Sequence, residues 1–275
     1  MAGKLYVVGT PIGNLSDLSP RGAETLKKVD FIAAEDTRVT VKLLNHLGIS
    51  KPMLSYYEHN KKERGEDILA RILNGENCAL VSDAGMPAIS DPGEELVRMA
   101  YENNIEVESV PGPTAMATAI AISGMKSGRF CFEGFLSVNK PSRKAHLEEL
   151  EKEKRTMVFY EAPHKLLATL KDMYKAFGDR KIAIARELTK LHEQVIHTTL
   201  SEAIALYEAD VKIRGEFVLI IEGYTPPIDE EFSLNPAVDL ARDYMNEGNS
   251  ASMAAKLAAA ETGIKKGEIY RVLIK

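Results

Sequence analysis

The stretch from Cys78 to Glu94 constrains the fold of this chain more than any other. Cys78-Ala79-Leu80-Val81 is an uninterrupted apolar run of buried-strand length, and it stops at Ser82-Asp83. Gly85, Pro87, Pro92 and Gly93 make the next segment a loop. Asp91 as N-cap, Pro92 in the first turn and Glu94 at N3 then predict a helix from Asp91 to about Glu102. Open α/β sheets bind small molecules where a strand ends beside exposed backbone and a helix start. The same pattern also makes a rigid turn whose aspartate only caps backbone.

The alternation extends along the chain. Strands are expected at Leu5–Val8, Phe31–Ala34, Met53–Tyr57 and Val107–Val110, with helices after Ser19, over Val41–Leu44 and around Ile68–Ile72. Strands separated by helices of this length imply right-handed crossovers and a mainly parallel sheet. Pro111-Gly112-Pro113 breaks the chain, and a helix begins at about Thr114. A second set of strands is expected near Phe130–Phe135, Met157–Tyr160, Ile182–Ala185, Gln194–Thr198 and Phe217–Ile221, with helices at Ser142–Glu151, His164–Phe177 and Ser201–Tyr207. Thr225 to Glu231 reads as a linker. Three short helices are predicted beyond it: Pro236–Met245, one capped by Ser250 and ended by Gly263, and Gly267–Leu273.

Composition narrows the function classes. A chain of 275 residues, 45% hydrophobic, buries a large core. It has no apolar run of about 18 residues and enters a strand directly after Met1-Ala2-Gly3, so a cytoplasmic protein without a membrane span is expected. Cys78 and Cys131 both sit in strand-like runs and read as reduced core thiols, with no metal set. A net charge of -5 argues against a wholly basic nucleic-acid coat. Local basic clusters remain: Lys126, Arg129, Lys140, Arg143 and Lys144, then Lys165 through Lys190, then Lys265, Lys266, Arg271 and Lys275. Each is either a solvated helix face or a footprint for phosphate contacts.

Gly9 to Asn14, Asp83 to Gly93 and Pro111 to Ala115 share one character: each comes directly after an apolar strand and exposes backbone. None is a Walker loop or a Gly-x-Gly-x-x-Gly turn, which argues against a nucleoside triphosphate or dinucleotide. A nucleoside-like cofactor without phosphates needs backbone groups for its base and a carboxylate for its ribose or amino group. Asp83 is placed to supply the carboxylate.

These loops, with Ala34-Glu35-Asp36-Thr37-Arg38, Phe159-Tyr160-Glu161-Ala162-Pro163-His164-Lys165, Ala185-Arg186-Glu187-Leu188-Thr189-Lys190 and Lys212 to Glu222, occur in one order. In that order the chain resembles the ribosomal small-subunit RNA (cytidine-2'-O)-methyltransferases of the tetrapyrrole-methylase-like class. The resemblance implies an α/β fold of two αβ domains, 1–111 and 112–224, with a cofactor cleft between them, and a linker and small helical domain over 225–275. It implies S-adenosyl-L-methionine bound by Pro11, Ile12, Asp83, Met86, Thr114, Ala115, Phe159, Tyr160 and the neighbourhood of Gly215. It further implies a homodimer acting on 16S ribosomal RNA within the small ribosomal subunit.

Methyl transfer from a sulfonium to a ribose hydroxyl asks the protein mainly for alignment, and for help in removing the hydroxyl proton. Glu35, Asp36, Glu161, Lys190 and Glu193 are the candidates for the proton, and no spacing singles one out. A lysine in this role needs a lowered pKa. Asp36 is equally placed to cap the helix after it. Arg38, His59, Asn60, His164, Arg186, Lys190, Lys140, Arg143 and Lys144 are the candidates for RNA contact, against ordinary surface ion pairs or caps. Tyr56 and Tyr57 are either base-stacking or sheet-core tyrosines. His46, His192 and His197 receive no role. The helical tail suits either an RNA-docking reader or a small bundle. A porphyrin- or corrin-precursor methylase and a non-catalytic RNA-binding protein are the competing functions.

Overall fold

The computed structural model describes residues 2–209, 212–226 and 234–274, in two compact units, Met1–Tyr224 and Thr225–Lys275. Most of the linker's charged end (Pro227 to Glu231) and the tail's Lys275 lie outside the described residues.

In the first unit the early strands β1 (Lys4–Val8), β2 (Phe31–Ala34), β3 (Met53–Ser55), β4 (Cys78–Val81) and β5 (Glu106–Val110) form one five-stranded sheet in the order β3-β2-β4-β1-β5. Every pairing in it is parallel. The helices α1 (Pro20–Lys28), α2 (Thr37–His46), α3 (Lys61–Leu73) and α4 (Gly93–Glu102) are its crossovers. Strand alternation sends Leu5, Val7, Phe31 and Leu80 to one face against Ile68, Ile72 and Leu96. Val8, Ile32, Ala34 and Val81 go to the other, against Leu26, Leu43 and Leu44. Each such side chain contributes about 1.5–3 kcal/mol on burial, so the sheet is fixed from both sides.

Several boundaries shift by a few residues from expectation, and two of the shifts have a plain cause. β3 stops at Ser55 because Tyr56 turns inward: it is 1% exposed and joins the core. α4 opens at Gly93, after Asp91 and Pro92, because Asp91 Oδ1 accepts hydrogen bonds from both Ala88 N and Gly93 N, each at 2.8 Å. Asp91 therefore closes the loop on itself, and Pro92, not the expected Asp91, holds the N-cap position, without a side-chain cap hydrogen bond.

After α5 (Ala115–Ile122) come β6 (Phe130–Phe135), α6 (Lys140–Glu149), β7 (Thr156–Glu161), α7 (Leu166–Phe177), β8 (Lys181–Arg186), β9 (Gln194–Thr199), α8 (Leu200–Ala209) and β10 (Phe217–Ile221). Their sheet runs β6-β7-β10-β8-β9. β6 and β7 are parallel, whereas β10 runs antiparallel between β7 and β8. One face packs on α7 and α8 through Phe159, Leu170 and Leu219. The other packs Val158, Val218 and Ile220 against Ala119 and Ile120 of α5 and against Ile12 from the loop after β1. The nearly all-apolar α5 packs on this sheet through Ala119 and Ile120, with Ala117, Ala121 and Ile122 left exposed, and it joins the two halves of the first unit.

The second unit holds α9 (Leu234–Asn246), α10 (Ala251–Thr262) and α11 (Lys266–Leu273). Ser250 caps α10 and Gly263 ends it in the left-handed region, φ +73. Ala254 and Ala258 are buried with Ala237, Ala241 and Ile269, so small side chains let the helices approach closely. Among the described residues no helix is long and apolar enough to cross a membrane.

Candidate active site

Ile12, Glu35, Ser82 to Met86 and Thr114-Ala115 sit at the carboxyl ends of β1, β2, β4 and β5, which are contiguous in the first sheet. They line a cavity of about 520 Å³. Its opposite wall comes from the second sheet: Phe135, Tyr160 to His164, Leu188 and Glu216 to Val218. The first-sheet loops are locked together by backbone. Thr10 and Gly85 exchange hydrogen bonds of 2.9 and 3.1 Å. Gly9 and Gly112 pass so closely that a Cβ on Gly9 would lie 2.6 Å from Gly112 Cα. Only glycine permits that approach. Ala88 and Ser90 both hold φ +67, strain of the kind that persists where surrounding structure overdetermines a loop.

The cavity's charge is one-sided. Glu35, Asp83, Asp91, Glu161 and Glu216 line it, with neither lysine nor arginine among the lining residues. Glu35 and Asp83 support each other: Asp83 N donates to Glu35 Oε2 at 3.2 Å, and Asp36 N donates to Asp83 Oδ1 at 3.1 Å. Loss of water on burial raises both carboxyl pKa values above the ordinary range, and neighbouring carboxylates add to it. Such a site favours a cationic ligand and disfavours phosphates. Among the described residues no His, Cys, Asp and Glu cluster is arranged to hold a metal.

The second-sheet wall is held from behind. Tyr160 Oη accepts from Met116 N at 3.0 Å, which fixes the ring at the start of α5. Glu161 is buried; it accepts from Ala162 N at 2.8 Å and from the Thr169 hydroxyl. Thr169 Oγ1 in turn accepts from Arg143 Nη2 at 2.8 Å, and Arg143 Nε donates to Asp172 at 2.6 Å.

Several expected residues take other places. Arg143 is 8% exposed and committed to this network, so it leaves the basic patch; Lys140 and Lys144 stay exposed. Phe159 faces the opposite core at 0% exposure, because strand alternation allows only one of Phe159 and Tyr160 to face the cavity. Gly215 does not line the cavity; its φ of +99 turns the chain beside Glu187, and Glu216 to Val218 line the wall instead. Pro11 lies beside the cavity without lining it, while Ile12, Asp83, Met86, Thr114 and Ala115 line it.

The proton candidates also divide. Asp36 is the N-cap of α2, and hydrogen bonds from Arg38 side chain and backbone hold its pKa at about 2, far too low for a proton acceptor. Lys190 contacts Glu187 Oε1 and Glu216 Oε2, each at 2.9 Å. Burial works against its charge, but these carboxylates outweigh it and raise its pKa, the reverse of what a base requires. Glu193 accepts from Thr189 N at 2.6 Å and does not line the cavity. Glu35 and Glu161 do line it.

Of the RNA candidates, His164 is exposed and lines the cavity. Arg38 is exposed and paired with Asp36. Arg186 stacks over Phe217 at 5.8 Å. Asn60 bridges Tyr57 N and Ser55 O, a turn-forming role, with His59 exposed beside it. Tyr56 is core, whereas Tyr57 is 42% exposed and meets His59 edge to face. Sequence reasoning did not single out Phe135 or Leu188, and it marked Glu216 to Val218 only as the neighbourhood of Gly215. The strand runs were legible, but which strand ends meet the first sheet depends on non-local pairing.

Residues 4–204 match the family model of tetrapyrrole (corrin/porphyrin) methylases. The chain is 47% identical over 274 residues, 99% of its length, to ribosomal RNA small subunit methyltransferase I of Synechocystis, covering 98% of that protein. It is 49% identical over 221 residues to the Thermotoga maritima protein of the same name, which covers 80% of this chain and 99% of that one. Uroporphyrin-III C-methyltransferase from Thermus thermophilus, complexed with S-adenosyl homocysteine, superposes with a TM-score of 0.57 at 18% identity, over 79% of this chain and 97% of that one. At that identity the superposition speaks for the fold. A single cavity at contiguous strand ends, the family match and near full-length identity converge: the chain belongs to the tetrapyrrole methylase family, in the branch of the ribosomal RNA small subunit methyltransferases I.

Proposed function

We propose that the chain uses S-adenosylmethionine to methylate the ribose 2'-hydroxyl of a cytidine in the decoding region of 16S ribosomal RNA, working in the cytoplasm as a homodimer on the small ribosomal subunit. The observation that carries the donor assignment is the cavity lined by carboxylates and by no lysine or arginine. Its residues fit a phosphate-free nucleoside with a positive centre. Ile12, Met86, Ala115, Leu188 and Tyr160 supply apolar surface, and Glu35 and Asp83 supply negative charge. The names borne by near full-length relatives support ribosomal RNA as the acceptor. We assign residues 1–111 and 112–224 as the two domains that close on the donor, and 225–275 as an accessory.

When bound, the donor supplies an already activated methyl group. The protein's own part is alignment, exclusion of water and disposal of one proton. Tyr160, pinned by Met116 N, and the Gly9–Gly112 crossing hold the cavity's width. Glu35 stands at the cavity with a pKa raised by burial, which suits a proton acceptor better than Asp36 or Lys190. His164 and the exposed Lys140 and Lys144 are assigned to RNA contact.

The test is incubation with methyl-labelled S-adenosylmethionine beside purified small subunits, naked RNA and a tetrapyrrole precursor, with nucleoside analysis of the products. Label in 2'-O-methylcytidine from the subunit is expected. Label only in the tetrapyrrole, or RNA binding without transfer, would overturn the reading.

A further inference from the structure

β6 carries a bulge that places an aromatic ring where strand alternation would not. Phe132 pairs with Val158, but Gly134 pairs with Phe159 and Phe135 with Tyr160, leaving Glu133 as the extra residue. In a regular strand Phe132 and Phe135 point to opposite faces. The bulge reverses the parity, so both rings meet Tyr160, with centroids at 4.9 and 5.4 Å. Gly134 makes this possible with φ +62, and a Cβ there would sit 3.2 Å from Ser90 Oγ in the cavity loop. Bulges next to active sites commonly re-aim a side chain.

The result is unusual for a phenylalanine. Without the bulge, Phe135 would face the core side with Phe159; instead it lines the cavity and stays 57% exposed. Leu136, 4% exposed, anchors the strand end immediately after it. The chain then enters α6, whose first turns carry the exposed Lys140 and Lys144. The ring therefore stands at the cavity edge from which the chain leads directly into basic residues, and exposed His164 lines the same cavity. The cavity's carboxylates lie on the loops of the first sheet and at Glu161 and Glu216.

We propose that Phe135 is a stacking platform for the base of the nucleotide being methylated, a substrate-positioning residue separate from the donor contacts. The inference rests on the RNA ribose reading above. An unstacked RNA base is characteristically held on an aromatic face, and the exposed lysines that follow in the chain suit its phosphates.

Phe135→Ala, Phe135→Leu and Phe135→Trp test it on the whole protein with intact small subunits. Loss of the platform should raise KM for subunits roughly 5- to 150-fold in Phe135→Ala, the range for base–aromatic stacking, with kcat changed far less. Phe135→Leu, apolar but not planar, should behave like the alanine variant, and Phe135→Trp should restore KM. The chain has no tryptophan, so Phe135→Trp also reports directly on the donor. Its emission should change little with S-adenosylhomocysteine, whose affinity should fall far less in any variant than KM for subunits rises in Phe135→Ala. Quenching by S-adenosylhomocysteine, or a matching loss of its affinity in Phe135→Ala, would mean the ring stacks on the donor and overturn the proposal. A leucine variant with wild-type KM would do the same. Failure of the unsubstituted protein to methylate subunits would instead strike at the parent reading.

Discussion

Among single residues, Asp83 and Glu35 carry the donor assignment. Burial raises both pKa values, so the folded chain takes up their protons more readily than the unfolded chain does. Without ligand, each therefore subtracts stability above its folded pKa, and that penalty is relieved as pH falls toward the unfolded value. A cationic donor favours the ionised forms. Its binding should release protons, and its affinity should weaken on acidification through the window just above the ordinary carboxylate range. Calorimetric titration in buffers of different ionisation heat measures this release. Asp83→Asn should weaken donor binding about 10- to 100-fold, as expected for a lost charged partner, and flatten the pH dependence. Unchanged affinity in that variant would remove Asp83 from the site. Arg143 makes the opposite point: a cation that reads as surface by sequence is structural. Arg143→Ala should cost roughly 1–3 kcal/mol in denaturant unfolding by removing a buried side chain that donates to both Thr169 Oγ1 and Asp172. Lys140→Ala should stay within about 0.5 kcal/mol.

Among the elements, the strand-end loops do the positioning. Gly112 passes Gly9 with no room for a methyl group, its Cβ falling 2.8 Å from Gly9 backbone atoms. Gly112→Ala should push the ends of β1 and β5 apart, destabilise by about 1–3 kcal/mol and lose donor affinity. Gly128→Ala, where a Cβ meets nothing within 4 Å, is the control that should change neither. These loops were legible because strong local signals mark them: an apolar run, a carboxylate or glycine, then a helix start. The second wall was less so. Phe217-Val218-Leu219-Ile220-Ile221 is plain as a strand, but nothing local says that it inserts antiparallel between β7 and β8 with Glu216 toward the cavity. The bulge at Glu133 is equally silent, since alternation read from sequence sends Phe135 to the wrong face. Asp36 and Tyr56 show the other limit: cap or base, core or platform, each choice turns on burial and partners that spacing does not encode.

Across the molecule, bends far apart in sequence meet in one place. β2, β4, β1 and β5 are neighbours only through parallel crossovers, and their loops face a wall built by residues 135–218. The second unit has its own core of small side chains, which suits the accessory role proposed for residues 225–275. Hydrogen exchange with and without S-adenosylmethionine tests the convergence head-on. Gly9 to Asn14, Asp83 to Gly93, Pro111 to Ala115 and Glu216 to Val218 should gain protection together, with little change in β9 or α10. Protection confined to one of these segments, or appearing elsewhere, is incompatible with a donor held by all of them at once.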